Sequence, residues 1–286
     1  MTNMLVTTHE MLLDAQAKHY AVGAFNVENL EFVMAVIKAA ENKKSPVIMQ
    51  TTPGTIKYAN LDYYYAIMAT AAKQANVPVA IHLDHGDGFD RCMKALRAGY
   101  TSVMIDGSHV GFEDNIALTK SVCDVAKAMN IPVEAELGKV GGKEDDGPAV
   151  EGDNPYTDPI EAAEFLERTG CSSLAVGVGT AHGVYKGIPH IEQEVLKAIH
   201  SAIDIPLVLH GTSGVPDEQV ATAIQNGICK VNYATELRQV FTKGFMEYMS
   251  QCPDNFDPKK PAKKGMENIT KIVEEHMDNL GSTNMA

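Results

Sequence analysis

The feature that most constrains this chain is an alternation repeated eight times, in which a short apolar run rich in β-branched residues is followed by a segment with helical periodicity. The runs that read as strands are Tyr20–Phe25, Pro46–Thr51, Val77–Leu83, Ser102–Asp106, Pro132–Leu137, Ser173–Val178, Pro206–His210 and Ile228–Asn232. Helices are expected near Leu30–Asn42, Leu61–Gln74, Phe89–Arg97, Phe112–Met129, Asp158–Arg168, Ile191–Ala202, Asp217–Gln225 and Thr235–Met249. Two local signatures support the count. Pro46, Pro78, Pro132 and Pro206 each stand at a strand start, where proline stops the helix behind it. Gly99, Gly170 and Gly227 precede strands four, six and eight, as left-handed helix ends require.

Eight such units with near-continuous apolar strands predict an α/β fold, a closed (β/α)₈ TIM barrel; a doubly wound open sheet is the alternative. The 286 residues suit a barrel of roughly 250 residues. No linker divides the chain, so one domain is expected over 1–286, with a helical extension from about 252 to 286 that ends in a helix near Gly265–Asn279. Residues Gly138 to Thr157 carry five glycines and several acids without periodicity, the signature of a functional loop or lid.

Lys plus Arg number 24 against 37 Asp plus Glu, a net charge of −13, which argues against a nucleic-acid or membrane surface. No apolar run approaches the ~18 residues of a membrane helix, and the first ten residues lack a signal-peptide pattern. A cytoplasmic location is therefore expected. Five cysteines without C-x-x-C spacing suggest neither disulfides nor a thiolate zinc site.

Active sites of such barrels lie at the carboxyl ends of the strands, and here those ends are polar. Strand three ends His82-Leu83-Asp84-His85, strand six runs into Gly179-Thr180-Ala181-His182-Gly183, and strand seven into His210-Gly211-Thr212-Ser213-Gly214. His85, His182 and His210 from three strands suit a catalytic zinc with one open position, nearby carboxylates serving as supporting or alternative ligands. His82 is expected outside the cluster, read as turned differently from Asp84, and His109 lies further into its loop. The turn Gly211–Gly214 and the turn Asn232-Tyr233-Ala234-Thr235 fall where barrels bind phosphate. Asp84 and, from the glycine-rich loop, Glu144 are candidate proton-transfer acids. Metal, phosphate cradle and acids together suit chemistry beside a carbonyl. The rival, a Schiff-base lysine, is left only Lys230 within the expected strands.

His82-Leu83-Asp84-His85, Met104-Ile105-Asp106-Gly107-Ser108, Val133-Glu134-Ala135-Glu136-Leu137-Gly138, Gly141-Gly142-Lys143-Glu144, Gly179-Thr180-Ala181-His182-Gly183 and Leu209-His210-Gly211 resemble, in order along nearly the whole chain, the motifs of class II, zinc-dependent ketose-bisphosphate aldolases. The resemblance implies reversible cleavage of a ketose 1,6-bisphosphate to glycerone phosphate and glyceraldehyde 3-phosphate. It implies zinc on His85, His182 and His210, with Asp106 and Glu136 at positions used for a second or displaced metal. Asp84 becomes the proton donor at the cleaved bond and Glu144 the mobile-loop acid. Gly183, Gly211, Thr212, Ser213, Asn232, Tyr233, Ala234 and Thr235 fall to the glycerone phosphate half, Asn232 beside the reacting oxygens and Lys186 near the phosphate and a monovalent cation, Na⁺ or K⁺.

The stretches Asn232–Glu236 and Thr52-Pro53-Gly54-Thr55 look most like the tagatose-bisphosphate branch, although Tyr233 stands where a small aliphatic is usual. Asp257-Pro258-Lys259-Lys260 places lysine where relatives often carry an arginine for the distal phosphate. Tagatose 1,6-bisphosphate is thus the expected substrate, with fructose 1,6-bisphosphate second. The alternatives are another phosphorylated ketose or keto-acid, a zinc hydrolase, and a non-catalytic metal-binding barrel acting as a partner subunit. The resemblance also implies a homodimer or homotetramer, or association with a non-catalytic barrel protein.

Overall fold

The structure, a computed structural model, describes residues 4–142, 155–183, 185 and 187–286. Its strands are β1 (Val22–Asn26), β2 (Val47–Thr51), β3 (Val79–Gly86), β4 (Ser102–Ile105), β5 (Val133–Leu137), β6 (Gly141–Gly142), β7 (Ser173–Val176), β8 (Ala181–His182), β9 (Leu207–Leu209) and β10 (Ile228–Tyr233). All but β6 and β8 close into one barrel in the order β1-β10-β9-β7-β5-β4-β3-β2. Every pairing is parallel, and closure comes where Val22 to Phe25 run beside Lys230 to Tyr233. The open-sheet alternative is thereby excluded.

The helices are α1 (Thr8–Lys18), α2 (Leu30–Lys43), α3 (Pro53–Ala59), α4 (Leu61–Gln74), α5 (Phe89–Ala98), α6 (Phe112–Ala128), α7 (Pro159–Thr169), α8 (Gln193–Ala202), α9 (Asp217–Gln225), α10 (Thr235–Gln251) and α11 (Lys259–Asn279). Asn29, Thr52, Asn60 and Asp158 cap their helices by accepting backbone N–H hydrogens. Each strand-leading proline directly precedes its strand, and Gly99, Gly170 and Gly227 adopt φ of 107°, 68° and 108°, as the helix-stop reading requires.

Three helical features differ from the sequence reading. Among the described residues no strand precedes helix α1, which stands outside the eightfold alternation; its Met11, Leu12 and Ala15 pack with Val22, Ala24, Ile48 and Ala80, closing the floor of the barrel. Helix α3 is a short turn nucleated by the Thr52 cap and Pro53. Helix α11 begins at Lys259 rather than near Gly265, and its buried Ile269, Val273 and Met277 join the main core as it packs on α10 and α2.

The barrel interior is not uniformly aliphatic. Halfway up, Lys230 Nζ lies 2.8 Å from Glu134 Oε2, and His82 Nε2 lies 3.6 Å from the same oxygen. All three are essentially without solvent contact. His82 Nδ1 is 2.8 Å from Ser102 Oγ, which in turn accepts from Thr8 Oγ1 of the floor helix at 2.9 Å. This corrects the expectation for His82: residues two apart on a strand share a face, so it points inward as Asp84 does. No described helix is long and apolar enough to cross a membrane.

Candidate active site

Residues 84 and 85 are consecutive, and strict alternation would turn one of them outward. The β3–β4 register shifts between Leu83 and Gly86, and His85 sits at φ 46°, a left-handed conformation rare outside glycine. That kink turns both Asp84 and His85 into the barrel mouth.

His85 meets His210 from β9's end and His182 from β8, with ring centroids 4.7 and 4.9 Å away. One nitrogen from each of the three lies within 4.8 Å of the others. The outer nitrogens face carboxylates: His85 Nδ1 is 2.9 Å from Asp106 Oδ2, and His210 Nε2 is 2.9 Å from Glu134 Oε1. Donation to those carboxylates leaves His85 Nε2 and His210 Nδ1 as lone-pair atoms, only 3.0 Å apart. Two lone pairs so placed repel unless a cation or proton lies between them. Burial opposes charging His85, yet Asp84, Asp106 and Glu136 outweigh it and hold its pKa well above the ordinary value. Burial, with His85 and His210 beside it, pushes His182 well below. Three converging imidazoles, two of them with a carboxylate on the outer nitrogen, are a donor set suited to a divalent metal.

Asp106 and Glu136 flank the trio. Glu136 Oε2 is 3.5 Å from His210 Nδ1 and 4.0 Å from His85 Nδ1, and His85, Asp106 and Glu136 form a second set of converging donors. Burial and the adjacent Asp106 drive Glu136 well above the usual carboxylate range. Burial alone would raise Asp106 too, but hydrogen bonds and charge from His85, with the Ser108 hydroxyl and amide, carry it well below. In a third set, His82, Asp84 and Glu134, Glu134 already pairs with Lys230 Nζ at 2.8 Å. That ion pair is also what engages Lys230, the lysine an imine route would need.

Asp84 is 2% exposed and braced from two sides. Asn232 Nδ2 donates to its Oδ1 and Gln50 Nε2 to its Oδ2, each at 3.0 Å, and Gln50 Nε2 also reaches Asn26 Oδ1 at 2.7 Å. Sequence reasoning missed Gln50, Asn26 and Glu134 as parts of the site; the legible signal was a polar residue inside an otherwise apolar strand.

Above the trio opens a cavity. Gly183, Gly211, Thr212 and Ser213 form one wall, and Asn232, Ala234 and Thr235 another. Gly211 has φ 64°, and a Cβ there would lie 2.6 Å from the Ala181 backbone. Across that close approach, Tyr185 Oη accepts from the Ala181 N–H at 2.6 Å and donates to the Gly211 carbonyl at 2.7 Å. The segments that carry His182 and His210 are thus tied together by one hydroxyl. Gly141 and Gly142 pair with Ala181 and His182, so the glycine-rich loop departs from beside the trio. Glu144 and Lys186 lie outside the described residues, and His109 is exposed, away from the cluster.

Tyr233 corrects its expected place in the substrate pocket. Alternation along β10 sends Asn232 inward and the Tyr233 ring outward, where it stacks on His276 of α11.

The profile of the class II fructose-bisphosphate aldolase family matches residues 6–285. The YdjI aldolase of Escherichia coli K12 superposes with a TM-score of 0.87 at 38% identity, covering 99% of both chains. A provisionally assigned fructose-1,6-biphosphate aldolase of Coccidioides immitis gives 0.87 at 31% identity over 96% of both. Fructose-bisphosphate aldolase of Campylobacter jejuni shares the fold, with a TM-score of 0.83 at 24% identity over 99% of this chain and 97% of that one. The chain belongs to the class II fructose-bisphosphate aldolase family and is an aldolase, a carbon–carbon lyase.

Proposed function

We propose that the protein catalyses metal-dependent, reversible cleavage of a ketose 1,6-bisphosphate to glycerone phosphate and glyceraldehyde 3-phosphate, with tagatose 1,6-bisphosphate preferred and fructose 1,6-bisphosphate second. The observation that carries this reading is the juxtaposition of three converging imidazoles with a doubly braced carboxylate, Asp84, at the rim of a glycine- and serine-lined cavity. His85, His182 and His210 would hold the metal, zinc by its donor set, and Asp106 and Glu136 a second or displaced position; when bound, the metal supplies Lewis acidity beside a substrate carbonyl. Asp84 gives and takes the proton of the hydroxyl at the cleaved bond, held on line by Asn232 and Gln50. Gly183, Gly211, Thr212, Ser213, Ala234 and Thr235 bind the phosphate-bearing half through backbone N–H and hydroxyl groups, while Asn232 orients the reacting oxygens. Glu144 exchanges the proton on the glycerone phosphate carbon, and Lys186 approaches the phosphate together with a monovalent cation, Na⁺ or K⁺.

In the same reading the enzyme works in the cytoplasm as a homodimer or homotetramer; the five free cysteines suit a reducing compartment. Lys259, which pairs with its own neighbour Asp257 at 2.7 Å, supports a second reading with the same chemistry on a ketose or keto-acid of different distal group. The test is a panel of phosphorylated ketoses given to the native protein and to Asp84→Ala. Turnover confined to the native protein, with metal retained in both, supports the reading; equal rates in both overturn it.

A further inference from the structure

The junction between β10 and α10 divides its residues between two faces. Asn232, Ala234 and Thr235 line the cavity. Tyr233 and Glu236 face the opposite way, and both meet a single residue, His276 of α11. The Tyr233 and His276 rings stack with centroids 3.8 Å apart and planes 15° apart, and Phe25 at the top of β1 extends the stack, 5.7 Å from Tyr233 and 6.4 Å from His276. His276 Nε2 lies 3.1 Å from Glu236 Oε1, a close approach without hydrogen-bond alignment, and neither imidazole nitrogen has a hydrogen-bond partner among the described residues. His276 is 9% exposed, and Glu236 is the carboxylate that faces its polar edge.

What it touches matters because of where α10 begins. Ala234 has no side chain with which to cap the helix, and the Leu237 and Arg238 amides go to the Ala234 carbonyl. The amides of Thr235 and Glu236 stand ahead of that ladder, at the positive end of the helix, where an anion is favoured. A carboxylate in the same first turn opposes an incoming phosphate. Glu236 is that carboxylate, and it faces His276 behind the turn.

We propose that His276 is a positioning residue for the phosphate-bearing half of the substrate: by stacking on Tyr233 and facing Glu236, the residues that bracket Ala234 and Thr235, it fixes the phosphate-binding turn from the back. The C-terminal helix thereby becomes part of the substrate site without touching substrate. The inference rests on the reading of that turn given above.

The experiment compares the native, zinc-loaded protein with His276→Ala, His276→Phe and Tyr233→Leu, measuring glycerone phosphate binding by calorimetry, KM and kcat for the cleaved ketose bisphosphate, bound zinc and Tm. His276→Ala and Tyr233→Leu raise Kd and KM by about threefold to tenfold, the factor equivalent to losing one such stacked pair. In both, kcat and zinc content stay within about twofold of native. His276→Phe, which keeps the stack, recovers part of the loss, and a double variant with Tyr233→Leu is less than additive. A fall in Tm with Kd and KM unchanged overturns the proposal and leaves His276 a packing residue. Should the variants fold poorly, Glu236→Gln tests the same contact at the surface of the turn, and an unaltered Kd there also overturns it. If the native protein itself fails to bind glycerone phosphate, the reading of the site falls, and the proposal with it.

Discussion

Asn232 reaches across the barrel mouth and donates its Nδ2 hydrogen to Asp84 Oδ1 at 3.0 Å. The contact joins the last barrel strand to the third and, with Gln50 on the other oxygen, braces the Asp84 carboxylate beside the trio. Asp84→Asn should therefore lower kcat by about 10²–10⁴ while bound metal stays near the native level. Metal analysis beside turnover decides it, since loss of metal with activity would make Asp84 a ligand.

Glu134 lies between a metal-site imidazole and a buried ammonium, 2.9 Å from His210 Nε2 and 2.8 Å from Lys230 Nζ. Burial raises its pKa, but Lys230 and the two histidines prevail and hold it well below the usual carboxylate range. Glu134→Gln is expected to weaken zinc binding by about 10- to 100-fold, the usual effect of removing the partner that orients a ligating histidine. Lys230→Met leaves Glu134 buried without its cation and should cost about 3–5 kcal/mol of stability. Competition titrations with a chelator and urea melts measure the two effects separately.

His82 carries a pH dependence of its own. Burial, aided by the neighbouring Lys230 charge, pushes its pKa down to about 3, whereas an unfolded histidine titrates near ~6.5. Between those values the unfolded chain binds the extra proton, so stability is full above pH ~6.5 and drains away toward about 3. The steepest loss from this one group is ~1.4 kcal/mol per pH unit. In metal-free protein, the stability difference between native and His82→Asn should shrink as pH drops through that window. A difference that stays constant would show that His82 does not titrate as buried.

Gly211 is fixed by two constraints at once, its φ of 64° and the 2.6 Å approach of any Cβ to the Ala181 backbone. Gly211→Ala should destabilise by ~1–3 kcal/mol and loosen phosphate binding. Tyr185→Phe, which removes only the hydroxyl joining the same segments, should cost ~1 kcal/mol. Denaturant midpoints rank the pair, and the reverse order would shift the weight from backbone strain to the tyrosine bridge.

Periodicity made the barrel legible because most units also carry a local signal, Pro46 ahead of one strand and Gly99 ahead of another. Helix α1 escaped because it caps the barrel floor and belongs to no unit. At the site, His85, His182 and His210 could be grouped once their strands were placed. The left-handed kink at His85, which brings it beside Asp84, has no marker in residue type. The even spacing of His82 from Asp84 puts the two on one face, and Glu134 is legible only as a polar residue inside an apolar strand, its role set by its distances to His210 and Lys230. Tyr233 was assigned to the pocket by its neighbours in sequence, whereas the pleat of β10 gives it to α11.

The central claim is that the histidine trio and Asp84 perform a metal-dependent aldol cleavage. Its most direct test is release of glycerone phosphate from tagatose 1,6-bisphosphate in a coupled assay, on the protein as purified, after chelation and after zinc is restored. The account predicts turnover that chelation abolishes and zinc brings back. Glycerone phosphate release that persists undiminished in the fully chelated protein, or none at all from the zinc-replete protein, would contradict it.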